Sequence, residues 1–213
     1  MKKSITMKHN TTTSLSSKVM TLFTALLFLG LAASLQTVQA QDEPTRITVE
    51  PDDFPLSIGA LNIAIEQNGG DVIYVLRNGK TYFLDAAIRN QHFLQIEAEE
   101  YPSDNPPILR PGTDLEGNSN ILGVYEANIL IKGIFIHAID DLGGLQNNQR
   151  TNSEGIHMHY QHCYFMGGNN YFFRLEGTNT TVRIEDTQFA NAGRNTSYPN
   201  QRIFDARGND QDS

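Results

Sequence analysis

The sequence predicts an all-β solenoid, a coil of short strands stacked turn on turn behind a short N-terminal helix. The first observation is a repeated spacing. Val182, Ile184 and Phe189 in "VRIEDTQF" are apolar at x, x+2 and x+7. The same spacing occurs 24 residues earlier, at Met158, Tyr160 and Phe165, and 29 residues before that, at Ile129, Ile131 and Ile136. A second run repeats as well. "FFRLEGTN" (Phe172–Asn179) matches "IFDARGND" (Ile203–Asp210) at an offset of 31 and "ILGVYEAN" (Ile121–Asn128) at an offset of 51. The third observation is physical. Period-two alternation marks strands with one buried face, here with Val182 and Ile184 inward and Arg183 and Glu185 outward. Units this short cannot bury that face alone, so neighbours must stack on them. A β-sandwich would explain the alternation but not the aligned spacing. The repeats predict about four coils.

The elements follow in chain order. Residues 1–40 read as a signal peptide: Lys2, Lys3, Lys8 and Lys18 precede the apolar "TLFTALLFLGLAASL", and "TVQA" ends in small residues suited to cleavage after Ala40. The apolar run is short for a membrane span, and no second run of spanning length follows. Residues 41–213 are read as one domain. "LSIGALNIAIEQNGG" places Ile58, Leu61, Ala64 and Ile65 at helical spacing before a Gly-Gly stop. Such a helix, ahead of the first strand, caps an open solenoid end. "DVIYVLRNGKTYFL" reads as strand, Asn-Gly turn, strand. Asn128, Asn179 and Asp210 fall at one place in the repeated turn, where Asn and Asp tolerate left-handed backbone. The segments 140–155 and 193–201 read as surface insertions. "RIFDARGND" is a first strand without its partner, so the domain reads as incomplete at its C-terminal end.

Charge narrows the function. The leader holds four of the sixteen basic residues and none of the acids, so the remainder sets twelve basic against twenty-four acidic residues, a net charge of −12. That is a poor surface for phosphate backbones and argues against nucleic acid. Cys163 is the only cysteine, which excludes an internal disulfide. Its neighbours in "HCYFMGG" are apolar and aromatic, so it reads as a buried, inert thiol. His157, His159 and His162 in "HMHYQH" lack an acidic or cysteine ligand at metal spacing within the run, and read as a strand face.

The helix with "GDVIYVLRNGKTYFL", the proline-bearing "FLQIEAEEYPSDNPPILRP", and the coils "NILIKGIFIHA" and "TVRIEDTQFANAG" resemble the right-handed parallel β-helix proteins of the pectin lyase-like superfamily. Within it the chain is most similar to secreted bacterial proteins of Bacteroidota type. The resemblance covers roughly Thr45 to Asp210. It implies a monomeric, exported or cell-surface protein that acts on or binds extracellular polysaccharide. The leading expectation is a non-catalytic carbohydrate-binding module. The alternative is a polysaccharide lyase cleaving a uronate-containing glycan by β-elimination, with an arginine base and Ca2+ as metal. Arg174, Arg183 and Arg207 are the candidate basic residues, and Glu176, Glu185 and Asp205 the candidate ligand-binding acids. No lyase motif maps onto the chain residue by residue.

Overall fold

A computed structural model describes residues 43–113, 122–140, 149–168, 171–190 and 202–206. Its elements belong to one compact unit, Pro44–Ser213. In order they are β1 (Thr45–Val49), α1 (Ala60–Asn68), β2 (Val72–Leu76), β3 (Thr81–Leu84), β4 (Ile88–Asn90), β5 (Leu94–Ala98), β6 (Ile108–Pro111), β7 (Gly123–Tyr125) and β8 (Ile129–Lys132). Then follow β9 (Phe135–His137), β10 (Gln149–Thr151), β11 (His157–Gln161), β12 (Tyr164–Met166), β13 (Tyr171–Leu175), β14 (Thr181–Glu185), β15 (Gln188–Ala190) and β16 (Arg202–Ala206).

These strands make three parallel sheets. Sheet A has the order β1-β2-β5-β8-β11-β14, sheet B β3-β6-β9-β12-β15, and sheet C β4-β7-β10-β13-β16. From β2 onward the chain visits A, B and C in strict rotation. Each circuit is one turn, so the fold is a parallel β-solenoid of about five turns. β2 and β3 lie in different sheets, so the Asn-Gly turn between them is a corner and not a hairpin.

The repeated spacing is realised as strand pairing. Met158 is opposite Val182 and Ile129, and Phe165 is opposite Phe189 and Ile136. The step from x+2 to x+7 encodes the corner from sheet A to sheet B. It is two residues long, and its first residue is left-handed in three successive turns: Gly133 (φ 70°), His162 (φ 52°) and Asp186 (φ 46°). The corners stack by backbone hydrogen bonds, from Gly133 N to the Gln161 carbonyl (2.9 Å) and from His162 N to the Glu185 carbonyl (3.0 Å).

Registered strands stack their inward residues into rows. One row runs Ile47, Tyr74, Ile96, Ile131, Tyr160, Ile184 through sheet A. Another ends with Phe165 stacked on Phe189 at 5.0 Å in sheet B, and sheet C stacks Phe173 on Phe204 at 5.3 Å. Each fully buried phenylalanine of this kind contributes about 3–5 kcal/mol against alanine.

Helix α1 lies between β1 and β2, not ahead of the first strand as expected: β1 pairs with β2 in parallel and the helix is the connection. Leu61 is its buried anchor, with Ala64 and Ile65 packed on the core, and Gly69 closes its last turn by donating to the Ile65 carbonyl. The helix packs against β3, the first edge of sheet B. Gly59 N donates to the Phe83 carbonyl (2.8 Å), and Asp52 accepts from both Phe83 N (2.8 Å) and Ala60 N (2.9 Å). One carboxylate thus satisfies an edge-strand amide and an amide of the first helical turn. Burial pushes the Asp52 carboxyl above its ordinary value despite these donors.

Further corrections concern sheet C. The segment 140–155, read as insertion, contains β10, whose inward residues are the polar Gln149 and Thr151. β10 stands between β7 and β13, and both pair with it. Gln149 is opposite Gly123 and Phe173, which makes the true offset 50, not 51. In sheet A, Ile129 aligns through Met158 with Val182, so Asn128 matches Thr181 and not Asn179. Asn179 is left-handed (φ 54°), as its residue type allows. Asp210 and the segment 193–201 lie outside the described residues, as does the leader.

The left-handed corner yields a paired prediction. A Cβ on Gly133 would meet Tyr101 Cβ and, at 3.0 Å, Ala98 Cβ, whereas Gly155 (φ 68°) has nothing within 4 Å. Gly155→Ala should cost about 1 kcal/mol in denaturant unfolding, the conformational term alone. Gly133→Ala should cost about 2–4 kcal/mol, because strain and overlap add. Equal costs would show that the corner is not closed as described.

Candidate functional site

Sheet C presents its middle residues outward. Along one row these are Arg89, Val124, Arg150, Arg174 and Asp205, each opposite the next. Arginine suits such a place, since its stem covers the pleat while the planar head stays wet. Carboxylates from adjoining turns meet each head. Arg89 lies 3.6 Å from Glu126, and Arg150 is bonded to Glu176 through both Nε (2.7 Å) and Nη2 (2.6 Å). Arg174 Nε donates to Asp205 Oδ2 (2.9 Å) and is 4.0 Å from Glu176. Arg202 flanks Asp205 at 3.5 Å. The Arg174 guanidinium sits over the Tyr171 ring, 4.2 Å from its centre. Burial raises the Tyr171 hydroxyl above its ordinary value, with Arg174 and Arg150 pulling the other way.

Arg174, Glu176 and Asp205 therefore lie together on this face. Arg89, Glu126 and Arg150 were missed. Their signal lies in the triplets "IRN", "QRT" and "FRL", each an inward–arginine–inward step recurring along the chain. Arg207 lies outside the described residues. Arg183 and Glu185 belong to the outer face of sheet A, and form a separate group. Arg183 Nε donates to Glu185 Oε1 (2.8 Å), and His159 Nε2 bonds Glu185 Oε2 (2.9 Å). The His159 bond, then Arg183, holds the Glu185 carboxyl below its ordinary value. This acidic partner for His159 comes from the next turn, not from its own run. Among the described residues no group of three or more His, Cys, Asp or Glu side chains could hold a metal ion. Cys163 is buried and its thiol is pushed up to about 11, which leaves it protonated and unreactive. Among the described residues no helix is long and apolar enough to cross a membrane.

Along the row Arg150 and Arg174 stand one strand spacing apart, about 4.8 Å, and Arg89 lies two spacings from Arg150 with Val124 between them. Arg89, Arg150 and Arg174 are each met by a carboxylate, Glu126, Glu176 and Asp205, and Arg202 adds a fourth guanidinium at Asp205. Such a surface offers paired donors and acceptors. That arrangement suits a ligand rich in hydroxyls better than a polyanion. No protein-family model matches the chain, and neither does any curated protein or solved structure.

Asp205 is 4% exposed and depends on Arg174. Arg174→Ala should destabilise the protein by about 1–3 kcal/mol. In a double-mutant cycle with Asp205→Ala, the two changes should couple by more than about 0.5 kcal/mol. Additive effects would mean that the pair is incidental.

Proposed function

We propose that the protein is an exported, non-catalytic module that binds extracellular carbohydrate through the outer face of sheet C. The observation that carries this reading is the row of Arg89, Arg150 and Arg174, each paired with a carboxylate and aligned by the strand register. Arg150 and Arg174 present guanidinium groups on adjacent turns at a spacing close to the length of one sugar residue, and Arg89 adds a third two turns from Arg150. A repeating ligand can then be met by a repeating surface. Three connections lead from sheet B into sheet C with eleven residues each, 112–122, 138–148 and 191–201. The leader at 1–40 supports export, and the likeness to pectin lyase-like β-helices supports a polysaccharide ligand. Affinity would come from many modest hydrogen bonds along the row, each added by one more turn.

The test uses the protein without its leader and a panel of neutral and uronate-containing polysaccharides. Retention should favour neutral, hydroxyl-rich chains. Arg150→Gln should weaken binding by about tenfold, the effect of losing one charge-assisted donor pair. Its unfolding midpoint should move little, because Arg150 and Glu176 are a partly exposed pair, at 38% and 25%. Release of unsaturated sugar ends would make the protein a lyase. Failure to retain any glycan would overturn the carbohydrate reading.

A further inference from the structure

The arginine row stops at β4, the edge strand of sheet C. There α1 rises beside it and encloses a cleft of about 560 Å³, within the range of small-ligand sites. The helix wall is fixed by Asn62 Nδ2, which donates to the Ala86 carbonyl (3.0 Å). Arg89 and Glu126, the last pair of the row, are also part of the cleft lining. Row and cleft are therefore continuous, and the helix closes the way beyond.

The lining has an unusual composition for a protein surface. Ile63 and Phe93, two of the five large apolar side chains exposed among the described residues, both face this cleft, at 48% and 43% exposure. Around them stand Glu66, Asp85 and Glu126, which outnumber the one arginine, Arg89, with His92 beside it. The acids disfavour an anion, and the apolar patch disfavours a bare cation. A sugar ring satisfies both: its C–H face lies against an aromatic ring while its hydroxyls donate to carboxylates.

We infer that this cleft receives the terminal residue of the glycan whose chain lies along sheet C, so that the protein recognises chain ends. The inference rests on the carbohydrate reading above and adds a direction and a stop to it. Ile63 and Phe93 are the platform, and α1 is the barrier that a continuing chain cannot pass.

The experiment takes the polysaccharide retained by the protein and compares it, at equal mass, before and after partial depolymerisation. Chain-end recognition predicts that binding sites per gram rise in proportion to the number of ends. It also predicts that Phe93→Ala and Ile63→Ser each weaken binding of a short oligosaccharide by at least about tenfold, as expected for a lost contact anchor. Both side chains are half-exposed, so the variants keep the fold; circular dichroism and the unfolding midpoint verify this. Sites per gram that stay constant on depolymerisation would overturn chain-end recognition while leaving the carbohydrate reading intact. So would unchanged affinity in both variants alongside loss in Arg150→Gln. Absence of glycan binding by the unaltered protein would overturn the parent reading, and this one with it.

Discussion

The structure depends on the parallel backbone ladder between successive turns. Every strand pairing is parallel, and neighbouring strands are held about 4.8 Å apart by their amides. Once one turn is placed, the next is templated in position and register. The tight left-handed corner keeps this register from slipping: at Gly133, His162 and Asp186 the chain turns in two residues and re-enters the ladder at once. A slip of one residue would turn the apolar rows outward.

Register has consequences on both faces of each sheet. Inside, like side chains stack on like, as Phe165 does on Phe189. Outside, the same rule aligns arginines with arginines, which would repel if left alone. Carboxylates placed on the strand ends and on adjoining turns, Glu126, Glu176 and Asp205, relieve that repulsion. The candidate surface is thus a product of the stacking and not a feature added to it. The helix serves the same logic at one end, since Asp52 and Gly59 satisfy edge groups of β3 that no further strand covers.

Sheets A and B were legible in the sequence because their inward residues are apolar and the corner between them is two residues long in the last three turns. Val182, Ile184 and Phe189 repeat at x, x+2 and x+7 for that reason. Sheet C was only partly legible. Its strands β4, β7 and β10 are three residues long, and β10 points Gln149 and Thr151 inward, so no apolar alternation marks it. Connections of differing length then shift the offset between turns from sheet to sheet, which is why a single alignment misplaced Asn128 against Asn179. The site was legible where a charged residue sat in a recognisable strand, as Arg174 does. It was hidden where the strand itself was hidden, as at Arg150, and where the partner came from another turn, as Glu185 does for His159.

The central claim is the order in which the turns stack, and a distance tests it directly. Spin labels at Thr48→Cys and Arg183→Cys mark the two edge strands of sheet A, β1 and β14, in a 6-stranded order. The buried Cys163 thiol does not compete for the label. Five strand spacings predict a backbone separation of about 24 Å. A single narrow distance distribution consistent with that value, after allowance for the label arms, is the expected result. A distance near a single strand spacing, or a broad spread, would contradict the stacked order on which the row, the cleft and the proposed binding all depend.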